Sequence, residues 1–243
     1  MEYGKEFSRT EMLLGTDALK ILSKARVAIF GIGGVGSYVA EALARSAIGS
    51  FDLIDHDVID ITNLNRQIIA SYQTIGQDKV LVMRQRILSI NPQASVQIHK
   101  CFYDKTSADS FDFSTYSYIV DAVDTVTAKL LLIERAQLAG VPIISCMGTG
   151  NKLNPAMLEV ADIYQTSVCP LARIMRYELR RRGIKALKTV YSKEQPHTVY
   201  SISDTAEQAT SSSRRQTPGS VSFVPSAAGL LIASEVVKDL IGA

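Results

Sequence analysis

The chain has 243 residues, of which 47% are hydrophobic and 21% charged, with a net charge of +2. This composition is typical of soluble globular proteins and excludes wholesale disorder. The longest apolar runs are too short to cross a bilayer and the first residues lack an apolar signal core, so we predict no integral membrane segment and a cytoplasmic location.

Hydrophobic periodicity predicts alternating strands and helices over the first 150 residues. A helix over 8–24, with Leu13, Leu19 and Leu22 on its apolar side, comes first. The predicted strands are 26–30, 51–55, 96–101, 118–122 and 142–146, and the predicted helices between them are 38–47, 78–88 and 127–139. This alternation is typical of a Rossmann-like, doubly wound, mostly parallel α/β sheet, which binds ligands at the carboxyl ends of its strands.

The pattern becomes less regular after residue 150 and predicts an α+β extension. The predicted strands are 157–162 and 188–192, and the predicted helices are 170–182 and 225–241. Residues 201–219 are rich in Ser, Thr, Gln and Gly, which predicts a mobile loop.

A glycine-rich turn lies between the first strand and its helix. It reads Gly31-Ile-Gly33-Gly34-Val-Gly36, and Asp55 lies 19 residues beyond Gly36 at the end of the next strand. Glycines permit close approach to phosphates, a helix N-terminus favours their charge, and an acid at this distance can accept hydrogen bonds from ribose hydroxyls. We therefore predict nucleotide binding; the alternative is a tight turn without a ligand.

The residues after the second strand favour a triphosphate over a nicotinamide cofactor. Asn63, Arg66 and Lys79 follow this strand closely. Clustered cations stabilise the charge that develops during displacement at phosphorus, which a hydride transfer does not need. The alternative is an ordinary polar loop.

A carboxylate ends the fourth strand. Asp124 precedes Thr125 and the next helix, across from the phosphate site. At that position it can hold Mg²⁺. The alternative is that Asp124 caps the helix that follows it.

Five motifs together resemble the ubiquitin-activating-enzyme-like (ThiF/MoeB/HesA) adenylyltransferases, in order and spacing, between residues 7 and 152. They are the glycine turn, Asp55-x-Asp57, Asn63-Leu-Asn65-Arg66-Gln67, Gly76-x-x-Lys79 and Asp121-Ala-Val-Asp124. The resemblance implies ATP and Mg²⁺ as cofactors, with Asp55 on the ribose, Asn63, Arg66 and Lys79 on the phosphates, and Asp124 on the metal. The implied nucleotide contacts as a set are Gly31, Gly33, Gly34, Gly36, Asp55, Asp57, Asn63, Arg66, Lys79, Asp124 and Thr125.

The same family resemblance extends to the N-terminal helix. Phe7-Ser8-Arg9 is similar to an element whose arginine reaches the nucleotide of a neighbouring subunit. It implies a homodimer in which Arg9 acts in trans. Arg9, Arg66, Lys79 and Asp124 are then the catalytic residues.

The second half separates two branches of that family. Sulfur-carrier adenylyltransferases usually bind zinc with two Cys-x-x-Cys pairs, and this chain, with three cysteines, has none. The run from Cys146 to Pro155 and the segment from Cys169 to Arg173 resemble the tRNA threonylcarbamoyladenosine dehydratases. The resemblance implies adenylation of the threonylcarbamoyl carboxylate and its cyclisation. Activation of the C-terminus of a ubiquitin-like sulfur carrier is the alternative, and a cysteine desulfurase or sulfur-carrier partner stays open.

The segment 173–193 contains eight Lys or Arg and one acid. At 100° per residue, Arg173, Arg176 and Arg180 fall within about 60° of arc, opposite apolar residues. With the adjacent Arg181, they predict contact with the phosphates of tRNA. The alternative is a solvated surface helix.

These assignments divide the chain into two regions of one structural domain. Residues 1–150 hold the N-terminal helix and the ATP-binding adenylation region, and residues 151–243 hold the tRNA-binding, dimer-completing region. We predict buried packing roles for Cys101 and Cys146, and leave a thioester role open for Cys169, which precedes a helix.

Overall fold

The computed structural model describes residues 5–200 and 218–243. In these residues seven strands form one sheet in the order β3-β2-β1-β4-β5-β7-β6. The strands are β1 (Arg26–Phe30), β2 (Ser50–Ile54), β3 (Ser95–His99), β4 (Tyr118–Asp121), β5 (Ile143–Cys146), β6 (Leu158–Asp162) and β7 (Lys188–Ser192). All neighbours are parallel except β6 and β7, which are antiparallel. The predicted doubly wound, mostly parallel α/β fold is confirmed.

Seven α-helices flank this sheet within the described ranges. They are α1 (Ser8–Leu14), α2 (Thr16–Leu22), α3 (Gly36–Arg45), α4 (Lys79–Ile90), α5 (Val126–Ala139), α6 (Pro170–Arg181) and α7 (Phe223–Ile241). None of the helices described is long and apolar enough to cross a membrane.

The prediction of one N-terminal helix over 8–24 is wrong. Gly15, with φ of +86°, ends α1 and directs the chain into α2. Leu19 and Leu22 of α2 are buried as expected, but Leu13 of α1 is 83% exposed. The side chains of Met12 and Leu13 therefore point away from the core of this chain, whereas Leu14 is partly buried against it.

The core lies on both faces of the sheet because side chains alternate along each strand. Helices α3, α4 and α7 pack against one face, around residues such as Ile29 and Phe51. Helix α5 packs against the other face at Phe30 and Ile119, and α6 extends that layer. Since α7 lies beside α3, the C-terminal part of the chain reaches the helix that follows the glycine turn.

Polar contacts attach α7 to the sheet. The Tyr118 hydroxyl of β4 donates to Asp239 at 2.6 Å, and Lys188 of β7 lies 2.7 Å from the same carboxylate. Lys188 also pairs with Glu235 at 3.1 Å. The predicted mobile loop 201–219 lies outside the described residues up to position 217.

Candidate nucleotide-binding and catalytic site

The loops that carry the predicted site meet at one edge of the sheet. Strands β2, β1 and β4 are parallel neighbours, with Ile54 opposite Phe30 and Phe30 opposite Asp121. Their carboxyl ends therefore lie side by side. The structure brings together the glycine turn, Asp55 and Asp124, as the sequence predicts.

Two glycines make the turn after β1. Gly31 has φ of +91°, and a Cβ there would lie 2.6 Å from the Ala122 carbonyl oxygen. A Cβ on Gly36 would lie 1.8 Å from the Gly31 carbonyl oxygen. Only glycine permits this approach, which places the N-terminus of α3 against the ends of β1 and β4. Gly33 is open, since an added Cβ would lie 3.9 Å from its nearest neighbour, the Gln67 amide nitrogen.

Asp55 fastens this turn to β2. Its carboxylate accepts hydrogen bonds from the backbone N–H of Ile32 at 2.6 Å and of Asp57 at 2.8 Å. A carboxylate has about four lone-pair positions, so Asp55 keeps capacity for ribose hydroxyls. Its position next to the turn fits the predicted ribose contact.

Lys79 lies at the start of α4 and forms an ion pair with Asp57. The ammonium is 2.6 Å from the carboxylate, and the Lys79 side chain is 7% exposed. His56 lies 3.1 Å from the other oxygen of Asp57, and ligand atoms of Asp55, His56 and Asp57 lie within 4.8 Å of one another. Asp57 thus orients the Lys79 ammonium at the predicted phosphate site.

Arg66 lies directly beside the glycine turn. Its Cγ would be 3.4 Å from a Cβ on Gly34. One guanidinium nitrogen donates to the Thr62 carbonyl oxygen at 2.8 Å and to the Asn65 side chain at 3.0 Å. These two hydrogen bonds hold the guanidinium next to the predicted phosphate site. Its remaining N–H groups can donate to phosphate oxygens.

Asn63 has a structural role that the sequence does not indicate. Its side-chain oxygen accepts from the Asp60 backbone N–H at 3.1 Å, in a capping box with Asp60. The amide NH₂ is the group of Asn63 that can donate to a phosphate.

Gln67 is a site residue that the prediction missed. It is 6% exposed and lies under Gly33, and its side-chain oxygen is buried without a hydrogen-bond partner in the described part of the chain. Its place directly after Arg66 is the one signal in the sequence that could have identified it.

Asp124 carries an exposed carboxylate, and no hydrogen bond or ion pair to it is found within 5–200 and 218–243. The N-cap of α5 is Thr125, and no side chain caps this helix. The alternative role of Asp124 as a helix cap is therefore wrong. Magnesium is usually held by one or two carboxylates together with phosphates and water, so a free Asp124 fits that donor set.

A buried ion pair supports the loop that carries Asp124. The Lys129 ammonium of α5 lies 3.0 and 3.1 Å from the two Asp121 oxygens and donates to the Cys146 carbonyl oxygen at 2.7 Å. The Ser145 hydroxyl completes the group with a 2.5 Å bond to Asp121. Lys129 and Asp121 are both 0% exposed, so the pair joins the ends of β4 and β5 inside the protein.

Arg9 is not at this site in its own chain. Phe7, two residues earlier, is buried against Leu19 and Ala47. Ala47 precedes β2, so this contact lies at the amino ends of the strands, opposite the glycine turn. Arg9 is exposed at this end of the sheet.

The predicted arginine helix has the expected apolar face, with Met175 and Leu179 buried. Its arginines differ in their contacts. Arg176 is half-buried and donates to the Thr166 carbonyl oxygen at 3.0 Å, while the exposed Arg180 stacks on the Tyr164 ring at 5.1 Å. Arg173 is exposed, and Arg181 lies over Tyr177 on a different side of the helix.

The basic excess of 173–193 is partly neutralised by acids from elsewhere. Arg182 pairs with Glu134 at 2.8 Å as well as with Glu178, and Lys188 and Lys193 pair with acids outside the segment. These three cations do not contribute to an open basic surface. Within the described chain, the cations of the segment without an acid partner from elsewhere are those of α6 and the exposed Lys185.

None of the three cysteines is exposed. Cys146 and Cys169 are buried and Cys101 is half-buried. Burial raises the pKa of the Cys146 thiol to about 12. Cys169 lies at the start of α6 near Lys152, a buried lysine that the prediction missed and whose ammonium donates to the Glu194 carbonyl oxygen. Burial lowers the pKa of Lys152.

The buried ion pair yields a stability prediction. Lys129→Met leaves Asp121 as an uncompensated buried charge, which costs about 3–5 kcal/mol of unfolding free energy. Urea denaturation measures this loss. Lys105→Met, at an exposed lysine, should change stability by no more than about 0.5 kcal/mol. A Lys129→Met protein as stable as the parent would show that the pair does not hold the two strand ends.

Comparison with known proteins shows the family of this chain. The chain is 39% identical over 240 residues to the tRNA threonylcarbamoyladenosine dehydratase of Bacillus subtilis (strain 168), covering 97% of this chain and 94% of that protein. The crystal structure of the Escherichia coli tRNA N6-threonylcarbamoyladenosine dehydratase TcdA in complex with AMP superimposes with a TM-score of 0.88 at 31% identity, covering 98% of this chain and 94% of that one. Its complex with ATP gives a TM-score of 0.86 at 30% identity, with the same coverage. The ThiF family model matches residues 7–243, and this chain belongs to the ThiF family.

Proposed function

We propose that this protein is an ATP-dependent tRNA threonylcarbamoyladenosine dehydratase. The observation that carries the proposal is the set of Arg66, Lys79 and the free carboxylate of Asp124 around the glycine turn. In addition, the chain is similar over nearly its whole length to a protein of that name. A nicotinamide-dependent oxidoreductase leaves all three side chains unexplained. We expect the enzyme in the cytoplasm.

The first step is adenylation. An oxygen of the substrate carboxylate attacks the α-phosphorus of ATP, a P–O bond forms, and the bond to pyrophosphate breaks. Arg66 and Lys79 stabilise the negative charge that develops on the phosphate oxygens. Asp55 fixes the ribose, and Asn63 donates its amide N–H to a phosphate.

Asp124 is the residue placed to hold Mg²⁺. The metal would neutralise phosphate charge and polarise the phosphoryl oxygens. Asp57, already paired with Lys79, supports the same edge of the site.

The second step closes a ring. A nitrogen or oxygen of the carbamoyl group attacks the activated carbonyl carbon, a carbamoyl N–H gives up its proton, and AMP is displaced and leaves with one former carboxylate oxygen. The nucleoside thereby loses the elements of water. No enzyme nucleophile is required, which agrees with the buried thiols of Cys146 and Cys169, and the proposal includes no sulfur-transfer partner.

We further propose a homodimer in which Arg9 serves the partner's active site. Arg9 lies at the strand edge opposite its own glycine turn, while Met12 and Leu13 of the same helix are 85% and 83% exposed. Exposed apolar side chains beside an unused arginine suit contact with a second copy.

The exposed arginines of α6 supply the tRNA contact. Arg173 and Arg180 project from the side opposite the buried Met175 and Leu179, with Arg176 between them and Arg181 alongside. Together with the nucleotide site, this makes residues 1–150 the adenylation region and 151–243 the tRNA-binding region.

The activity has a direct test. Protein, MgATP and tRNA containing threonylcarbamoyladenosine should yield AMP and a nucleoside lighter by one water, detected by mass spectrometry of digested tRNA. Asp124→Ala should lower this rate about 10²-fold or more, because phosphate charge loses its counterion. Asp17→Ala, at an exposed surface acid, is the matched control and should keep full rate. Unchanged tRNA, with AMP released only on addition of a sulfur-carrier protein, would overturn the proposal.

Subunit mixing tests Arg9. Arg9→Ala and Asp124→Ala proteins should each be inactive, but a mixture should recover activity, since each heterodimer contains one site with both residues intact. AMP formation after verified subunit exchange is the measurement. If exchange occurs and activity stays absent, Arg9 does not act across a subunit interface.

Reversing the charge of Arg173 and Arg180 tests the tRNA surface. Arg173→Glu with Arg180→Glu should weaken tRNA binding and lower the slope of log affinity against log salt by close to one for each phosphate that is no longer neutralised. Filter binding over a salt series measures both, and ATP affinity should stay unchanged. Lys24→Glu with Lys105→Glu, the same charge change at exposed sites elsewhere, should bind tRNA nearly as the parent does. If both double variants lose the same tRNA affinity, α6 is a solvated surface helix and not the tRNA contact.

A further inference from the structure

Asn65 joins two parts of the chain that are 155 positions apart in sequence. Its side-chain oxygen accepts from the Arg66 guanidinium at 3.0 Å, and its amide nitrogen donates to the Ser220 carbonyl oxygen at 2.9 Å. The acceptor and the donor of one amide are therefore used at the same time. Asn65 is exposed, so these bonds and not core packing account for its position.

The residue before Ser220 is held from the other side. Gly219 donates its N–H to the Asn151 side chain at 2.7 Å, and its carbonyl oxygen accepts from the Asn151 N–H at 2.8 Å. The carbonyl oxygen of Asn151 in turn accepts from the His197 N–H at 2.9 Å. The dipeptide Gly219–Ser220 thus lies between Asn65, beside the nucleotide site, and Asn151, in the loop after β5.

The loop after β5 continues to the arginine helix. A Cβ on Gly148 would lie 3.9 Å from the Cys169 sulfur and 3.9 Å from the Leu171 Cβ, in the first turn of α6. Arg173 follows two residues later. The loop that holds Gly219–Ser220 through Asn151 therefore also passes beside the first turn of the helix that carries the proposed tRNA contacts.

These contacts restrict the conformation of the Arg66 side chain. A free arginine loses up to about 2 kcal/mol of rotamer entropy when it is fixed. Asn65 and the Thr62 carbonyl oxygen hold one guanidinium nitrogen before any phosphate arrives. If Arg66 shifts towards a phosphate, its hydrogen bond to Asn65 changes. Because Asn65 also donates to Ser220, the change can reach Gly219–Ser220, which Asn151 holds.

We propose that Asn65 is a positioning residue that orients Arg66 and, through Ser220, couples ATP binding to tRNA binding. The inference rests on the proposed function, because it takes tRNA as the second substrate. Coupling of this kind is reciprocal: ATP changes the affinity for tRNA by the same factor as tRNA changes the affinity for ATP.

Three variants separate the two contacts of Asn65. Asn65→Asp keeps an oxygen for Arg66 but replaces the donor to Ser220 with a second oxygen, which faces a carbonyl oxygen. Asn65→Ala removes both contacts. Gln77→Glu makes the same amide-to-acid change at an exposed side chain of a nearby loop, whose amide donates only to the Gln73 carbonyl oxygen in the described chain.

The experiment measures tRNA affinity with and without an ATP analogue that cannot be cleaved between the α- and β-phosphates, and analogue affinity with and without tRNA. The parent protein and Gln77→Glu should show equal coupling factors in both directions, of about 5-fold or more. Asn65→Asp should show a coupling factor close to one in both directions. Asn65→Ala should also bind the analogue more weakly.

A parent protein without coupling, or Asn65→Asp with the full factor, would overturn the inference. Either result leaves the proposed function standing, provided that the parent protein still removes water from the modified tRNA. A parent that leaves the tRNA unchanged overturns the proposed function instead, so the two failures are distinguishable.

Discussion

The site depends on a contact that contains no side chain. The backbone of Gly31 lies against the backbone of Ala122, and Gly36 lies against the Gly31 carbonyl oxygen, at distances that leave no room for a Cβ. Through this contact the end of β1, the end of β4 and the start of α3 meet. The positions of the loops that follow the strands therefore depend on it. A Cβ there would displace backbone, which cannot yield as a flexible side chain can, so Asp55 on one side and Asp124 on the other would shift together.

The buried Lys129–Asp121 pair determines which carboxylate after β4 stays free. Burying both charges has a high desolvation cost, which good geometry and additional hydrogen bonds must offset. Here Ser145 and the Cys146 carbonyl oxygen supply those bonds. Because Lys129 is fully engaged with Asp121, it leaves Asp124 without a cation of its own. The proposed Mg²⁺ contact requires a free carboxylate, and the buried ion pair keeps Asp124 free for it.

Much of this architecture follows from local sequence. Apolar strands, a glycine turn between strand and helix, and an acid at the next strand end are short-range patterns, and the structure places all of them as predicted. Strand ends depend on neighbouring strands as well: the third strand stops at His99 and not at Cys101, because its neighbour β2 stops at Ile54, which pairs with His99. The break at Gly15 has a local cause, but the glycine sits within an apolar pattern that continues on both sides of it.

Partners that are distant in sequence could not be predicted. No local pattern shows that Asn65 contacts Ser220, that Lys152 is buried beside Glu194, or that the Gln67 amide lies under the glycine turn. The capping role considered for Asp124 is wrong for a local reason: Thr125, and not Asp124, is the N-cap of α5, and no side chain caps this helix.

The net charge of a segment in the sequence differs from the charge that it presents in the folded protein, as residues 173–193 show. Within 173–193 the sequence contains almost no acid, yet Glu134, Glu235 and Asp239 reach this segment from other elements and neutralise some of its cations. Affinity for a nucleic acid grows with the number of phosphates that a protein neutralises, because each one releases counterions. A cation already paired within the protein contributes less to that release than an unpaired one. The relevant quantity is therefore the number of arginines that reach solvent without an acid beside them, and on α6 these are Arg173, whose side chain is exposed, and Arg180, which stacks on Tyr164 and keeps its charge.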